Sequence, residues 1–396
     1  MEKFKRIFLI VIDSLGIGYS PDAIEYNDLG ADTLGHIDAC KNPFYIENLM
    51  KLGLEKLHSL QHVKTQKAIG YQARLLEASV GKDTLTGHLE MMGLLSQEAP
   101  LTFTETGFPK DLIQELEKKT GHTFIGNIAS SGTTILEQLG HEETESKGQK
   151  LILYTSADSV LQICGNEQII GLEELYRCCQ IAREITFKPE WKVARVIARP
   201  YIFRDGKYIR TCHRKDYSLD PPMPTCLDIL KDHGFDVLAI GKIYDIFNGH
   251  GITRSYHSNS SIHGMDQTIE QTRNNFTGLC FTNLVDFDAK WGHRRDPIGY
   301  GKELEAFDKK LKILIEHLNS DDLLMITADH GNDPTFHGTD HTREMVPLLM
   351  FSSRFTESKK LDDQESFGCI AQTILENFNL PTKEYLLGKS LLAQLK

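Results

Sequence analysis

The sequence predicts an α/β protein: a central, mostly parallel sheet flanked by helices, carrying a smaller inserted α+β domain. Three observations lead there. Short apolar runs of strand length recur along the chain: RIFLIVID, LILYTSADS, KVARVIARPYIF, FDVLAIGKI, LCFTNLVDFD and DLLMITADH. Helical patterns lie between them. A middle stretch of different character is bracketed by prolines. The length of 396 residues exceeds one ordinary core and indicates about two domains.

The first run, Ile7 to Ile12, could pass for a secretory leader. It ends in Asp13, and no small-residue cleavage site follows. No stretch approaches the length of a membrane span. The run is read as a first buried strand, and Asp13 as an Asx-turn residue or a ligand. Next comes GKDTLTGH, residues 81–88. It is not a P-loop: Leu76 stands where the first glycine belongs, and Asp83 replaces the Ser/Thr after the lysine. What remains is a Gly-flanked Thr84. Beside divalent ions its hydroxyl could become a nucleophile; without them, helix capping by Thr84 or Thr86 is the plain reading.

Residues 98–222 hold helices, Gly-rich turns and a pair of strands. Pro100 and Pro109 mark one end and LDPPMPT (219–225) the other. An insertion entered and left through flexible joints fits this pattern. The core is then 1–97 with 223–396, and the insert is expected to move against it as a body. In the insert, KDLIQELEKK and LEELYRCCQIARE are helical. In the core, KELEAFDKKLKILIEHL puts Leu304, Phe307, Leu311, Leu314 and Leu318 on one helix face.

In such sheets, ligands bind beyond the carboxyl ends of the strands. Asp13, Asp288 and the pair Asp329–His330 all stand there. His293 follows Asp288 by five residues, with Gly292 letting the chain fold back. Asp286 shares a strand face with Asp288 and could support it from behind. His341 follows His330 by eleven residues, across a Gly-containing loop. Singly, each would be an ordinary turn residue or surface ion-pair partner. Together they read as two ion sites: Asp13, Asp329 and His330 around one ion, Asp288, His293 and His341 around the other. Mixed carboxylate and imidazole ligands suit Mn or Zn, and two ions can clamp an in-line phosphoryl transfer.

The net charge is -11, with pI near 5.8 and no long Lys/Arg run. Nucleic acid and anionic membrane surfaces are therefore not expected as partners. Eight cysteines without a CxxC predict buried free thiols, a reducing compartment and a cytoplasmic location.

These motifs resemble those of the alkaline phosphatase superfamily of metalloenzymes, and within it the phosphopentomutase family. The resemblance spans essentially the whole chain. It is carried by RIFLIVIDSLGIG, PDA, GKDTLTGH, YTSADSVLQI, RVIARP, AIGKI, NLVDFDA with GHRRDP, and ITADHGNDP with GTDHTREMVPLL. In cofactor-independent phosphoglycerate mutases the interval matching Asp288–His293 is one residue shorter, which favours the pentomutase branch. The resemblance implies an alkaline-phosphatase-like core with a cap, two Mn2+ ions and a phosphorylated Thr84. It implies interconversion of ribose 1-phosphate and ribose 5-phosphate, with the 2-deoxy sugars, through a bisphosphate. A sugar bisphosphate such as glucose 1,6-bisphosphate would be the activator. Ser156, Asp158, Arg195, Arg210 and Lys242 match the family's substrate-binding positions; arginines suit phosphate, and a carboxylate suits sugar hydroxyls. The partners are then small pentose phosphates, with no nucleic acid and no membrane, and a monomer is compatible with this. Two places depart from the family pattern: Leu89, where Trp is usual, and Lys290–Trp291 between two ligands. Two other readings stand beside this one. One is a phosphatase or phosphodiesterase on the same core, releasing phosphate to water. The other is a metal-binding module without catalysis.

Overall fold

The computed structural model describes residues 3–98, 101–156 and 159–396. The chain divides into two compact units, one of residues 1–99 with 221–396 and one of residues 100–220. The insert expected at 98–222 is thus two residues shorter at each end.

Among its described residues, the larger unit carries an eight-stranded sheet. The order is Arg254–Tyr256, Asp236–Ile240, Gly278–Leu284, Arg6–Ile12, Asp322–Thr327, Val346–Phe351, Tyr71–Leu75 and Lys359–Lys360. The first five strands are parallel, and Val346–Phe351 runs antiparallel to both its neighbours. Arg6–Ile12, Gly278–Leu284 and Asp322–Thr327 are buried along their whole length. Burial on both faces makes each run continuously apolar rather than alternating. These three strands are adjacent and point the same way, with Ile12 opposite Leu284 and Val11 opposite Thr327. The residues just past each strand therefore emerge at one edge of the sheet. Helix Pro297–His317 buries Leu304, Phe307, Leu311 and Leu314 as expected, and Leu318 caps it half-buried.

The opposite end of the central strand is tied by a buried ion pair. Arg6 Nε and Nη2 donate to the two carboxylate oxygens of Asp322 at 2.7 and 2.6 Å. Its Nη1 donates to the Thr272 and Asn274 carbonyls, just past helix Ser261–Gln271. Positive charge suits carbonyls left open at a helix C-terminus. Arg6→Met leaves Asp322 buried and unpaired. It should destabilise the protein by about 3–5 kcal/mol, and Arg6→Met with Asp322→Leu should recover most of that loss. Urea unfolding followed by circular dichroism measures both.

The smaller unit carries a six-stranded mixed sheet among its described residues. The order is Thr123–Ala129, Lys150–Thr155, Val160–Asn166, Arg195–Arg204 and Lys207–Arg210, with Lys215–Ser218 also paired to Arg195–Arg204. The sequence reading expected only a pair of strands here. Thr123–Ala129 escaped it because the strand is largely solvent-facing and irregular: Gly126 and Asn127 take left-handed φ values, and the register slips between Gly126 and Ile128. The expected helices form at Lys110–Thr120 and Leu172–Ile185. They pack Leu112, Leu116, Leu175 and Cys178 into the unit's larger apolar cluster. All eight cysteines are free; only Cys40 and Cys212 are exposed. Among the described residues, no helix is long and apolar enough to cross a membrane.

Candidate metal centre

Asp13 ends strand Arg6–Ile12, and Asp329 and His330 lie just past strand Asp322–Thr327. His341 sits on the loop leading to strand Val346–Phe351. Asp288 and His293 belong to a π-helical turn, Phe287–Gly292 and its cap. That turn explains their five-residue spacing. The His293 N–H donates to the Asp288 carbonyl at 3.0 Å, an i to i+5 bond that stacks the two side chains. His293 Nε2 then lies 3.1 Å from Asp288 Oδ2. Gly292 acts through size, because a Cβ there would come within 2.8 Å of Asn332 Nδ2. Asp286 does not support Asp288. The strand has already ended, and Asp286 accepts from the Ser261 N–H and Lys290 Nζ.

Two groups of ligand atoms converge, each within 4.8 Å: Asp13 with Asp329 and His330, and Asp288 with His330 and His341. His330 Nε2 is 3.6 Å from Asp13 Oδ1 and 3.5 Å from Asp329 Oδ2. His341 Nε2 is 3.6 Å from Asp288 Oδ1 and 3.1 Å from His293 Nε2. His330 therefore stands between the groups, where the sequence reading had assigned it to one.

Whether ions fit is decided by the tautomers and by two carboxylate oxygens. The Nδ1–H of His330 donates to the Gly331 carbonyl, that of His341 to Lys82 and that of His293 to Thr339, at 3.0, 3.0 and 3.2 Å. In its neutral form each ring then presents the Nε2 lone pair to the centre. The His293 and His341 lone pairs, 3.1 Å apart, repel unless a cation lies against both. Asp13 Oδ1 and Asp329 Oδ2 are buried and accept no hydrogen bond. His88 Nδ1 is 3.3 Å from Asp329 Oδ2, but its N–H serves the Thr84 carbonyl at 2.8 Å. This donor set fits divalent ions with mixed N/O preference.

Electrostatics agree. Burial, reinforced by Asp329 and Asp288, pushes the Asp13 carboxyl well above its usual range. Burial opposes ionisation of Asp329 too, but His330 and His88 hold it at about 2. Asp288 is buried as well, and His293 and His341 hold it well below the ordinary value. Burial lowers the His330 pKa, yet Asp329, Asp13 and Asp288 carry it up to about 9. Buried carboxylates so close together call for more positive charge than imidazoles supply, and divalent ions would provide it.

Thr84 opens helix Thr84–Met91. Asp83 is the N-cap: Oδ1 accepts from the Leu85 and Thr86 N–H groups, and Oδ2 from the Thr86 hydroxyl at 2.7 Å. Thr86 is thus absorbed into the cap. Thr84 Oγ1 lies 3.2 Å from Nε2 of His330, the histidine common to both groups, and at the positive end of a helix.

Lys242, at the start of helix Ile243–Ile246, is close enough to Asp13 to oppose its raised pKa. Ser156, Arg195 and Arg210 belong to the insert, and Asp158 lies outside the described residues. Ser156 follows strand Lys150–Thr155, and its carbonyl accepts from Thr104 Oγ1. Arg195 lies 3.7 Å from Asp216. Arg210 lines a cavity of about 420 Å3 with Arg199, Pro200, Thr211 and Arg214. Sequence reasoning did not single out Arg199 or Arg214. Arg199 was findable, since it shares a strand face with Arg195 by period two. His88, Asn283 and Asn332 were also missed. Asn283 Nδ2 donates to Asp13 Oδ2 at 2.9 Å and Asn332 Nδ2 to Asp288 Oδ1 at 2.7 Å. Of the departures from the family pattern, Leu89 is buried, and Trp291 packs so closely on Gly299 that a Cβ there would clash.

The model of the Metalloenzyme superfamily matches residues 5–382. The phosphopentomutase of Clostridium botulinum (strain Alaska E43 / Type E3) is 56% identical over 397 aligned residues, covering 100% of both chains. The chain belongs to the phosphopentomutase family. The phosphopentomutase of Clostridium beijerinckii is 55% identical, again over 100% of both chains. Membership in this family makes the protein an isomerase. Among solved structures, the PH0037 protein from Pyrococcus horikoshii matches at TM-score 0.50 and 13% identity, covering 97% of this chain and 99% of that one. That likeness shows a shared fold.

Proposed function

We propose that the protein interconverts α-D-ribose 1-phosphate and D-ribose 5-phosphate, and the 2-deoxyribose counterparts, through phosphorylated Thr84. The observation that carries this reading is the Thr84 hydroxyl, 3.2 Å from His330 Nε2 where the two ligand groups meet. Asp13, Asp329 and His330 would hold one Mn2+ ion and Asp288, His293 and His341 the other. Bound there, the ions would compensate the charge of the transferring phosphoryl group and lower the barrier to its in-line displacement.

Thr84 Oγ gives its phosphoryl group to the free hydroxyl of a sugar monophosphate, and that hydroxyl loses its proton. The product is a sugar bisphosphate. Once the sugar reorients or exchanges, Thr84 Oγ takes back the phosphoryl group from the other end, and the freed sugar oxygen regains a proton. No water is consumed and no phosphate is released. The protein must begin phosphorylated, so a sugar bisphosphate such as glucose 1,6-bisphosphate should prime it. The guanidiniums of Arg195 and Arg210 suit the phosphate that is not reacting, and Arg199 and Arg214 line the same cavity as Arg210; Ser156, Asp158 and Lys242 suit the rest of the sugar phosphate. Free cysteines support a reducing, cytoplasmic setting, and small pentose phosphates acting on a monomer complete the reading.

The test is direct. Protein loaded with Mn2+ and primed with glucose 1,6-bisphosphate should convert ribose 1-phosphate to ribose 5-phosphate without loss of organic phosphate. Stoichiometric release of inorganic phosphate would instead identify a phosphatase. Absence of any turnover in metal-loaded protein would identify a binding module.

A further inference from the structure

We propose that Arg295 is a positioning residue for the ion site of Asp288, His293 and His341, acting through the Asn332 amide. The inference deepens the two-ion reading above and rests on it. Arg295 holds a left-handed backbone, φ 56, which a glycine would adopt with less strain. What the position gains from arginine is the side chain. Its Nε donates to the Gly338 carbonyl at 2.9 Å, Nη2 to the Asp340 carbonyl at 3.1 Å, and Nη1 to the Asp333 carbonyl at 2.8 Å. These carbonyls lie on the loop that delivers His341. The guanidinium, two residues beyond His293, closes that loop onto the π-helical turn. His293 itself reaches the same loop through its Nδ1–H to the Thr339 carbonyl.

A further contact leads through Asn332 to the ligand Asp288. Arg295 Nη1 donates to Asn332 Oδ1 at 2.6 Å, and Asn332 Nδ2 donates to Asp288 Oδ1 at 2.7 Å. A guanidinium only donates, so the Asn332 oxygen must face Arg295 and its NH2 must face Asp288. Asn332 is fully buried and its backbone N–H is held by Thr33 Oγ1, so the amide has little freedom to turn. Gly292 leaves room for it. The relay occupies one lone pair of Asp288, orients the rest toward His341 and His293, and draws charge from the carboxylate. Partners of this kind typically change metal affinity by about 10–100-fold.

Metal-free protein titrated with Mn2+, with free ion followed by electron paramagnetic resonance, tests this. Wild type should bind two ions, and fewer would overturn the two-ion reading before any variant is made. Arg295→Met should weaken one site about 10–100-fold and leave the other unchanged. In a His341→Ala background, Arg295→Met should leave the remaining ion's affinity unchanged. Asn332→Leu, which keeps the volume and removes both hydrogen-bonding groups, should reproduce the selective loss even if the arginine variant folds poorly. Unchanged affinity at both sites, or equal weakening of both, would overturn the proposal. A lower melting temperature of the metal-free variant with wild-type Mn2+ binding would mark Arg295 as a structural clamp alone and overturn it too.

Discussion

Thr84→Ala should abolish conversion of ribose 1-phosphate, by roughly 10^4-fold or more, while the fold and the metal content stay intact. The size of the effect follows from the chemistry. A double displacement has no path once its acceptor oxygen is gone, and Thr86 cannot substitute. The Thr86 hydroxyl is committed to Asp83 Oδ2 at 2.7 Å, whereas Thr84 Oγ1 faces His330. Thr86→Ala removes a bond supporting the cap but leaves Asp83 accepting from the Leu85 and Thr86 N–H groups. It should cost about 1 kcal/mol of stability and retain activity. Intact-mass measurement of active wild type should show one phosphate, and peptide mapping should place it on Thr84. Turnover by Thr84→Ala, or phosphate on Thr86, contradicts the mechanism.

Asp329→Ala should reduce metal content and remove activity. Asp329 supplies the buried oxygen Oδ2, which accepts no hydrogen bond, while its Oδ1 holds the Ser14 N–H at 3.0 Å. His341→Ala should do the same for the other site. Elemental analysis of dialysed protein measures the loss; full loading with full activity in either variant rules the ligand out. Metal-free wild type offers a second readout. The folded pKa of His330, about 9, lies above its ordinary value of 6.5. Protonated His330 therefore stabilises the metal-free fold fully below about pH 6.5, and that contribution is lost as pH rises through about 9. Asp13 has the same sign, since its folded pKa is also raised. The melting temperature in chelator should fall as pH rises across that window. Saturating Mn2+, which replaces the proton as the neutralising charge, should remove the fall and add about 2.7 kcal/mol for each ion bound at 100 times its Kd.

Much of this centre was legible because a buried parallel strand has a plain signature. Ile7 to Ile12 and Leu323 to Ile326 are apolar on both faces, so a carboxylate or imidazole directly after them must lie at the sheet's edge. That logic assembled Asp13, Asp329 and His330 from residues more than three hundred positions apart. The sequence by itself also separated Asp288–His293 as a five-residue interval, though for a different reason: a π-helical turn, not a flexible glycine, makes the spacing productive.

Only the tertiary structure decided which nitrogen each histidine offers. The partners that set the tautomers are backbone carbonyls, which carry no residue identity. His341 takes its orientation from the Lys82 carbonyl, 259 positions away. Nor does any local pattern mark Asn332, which meets Asp288 across 44 positions and works only because Arg295 turns its amide. The insert's outer strand Thr123–Ala129 was hidden for a related reason. A largely exposed strand broken by left-handed residues buries too little to impose an apolar alternation, so its pairing with Lys150–Thr155 is written in backbone hydrogen bonds alone. Side-chain chemistry at strand ends is encoded where it stands, whereas the backbone contacts that aim it exist only once the chain has closed on itself.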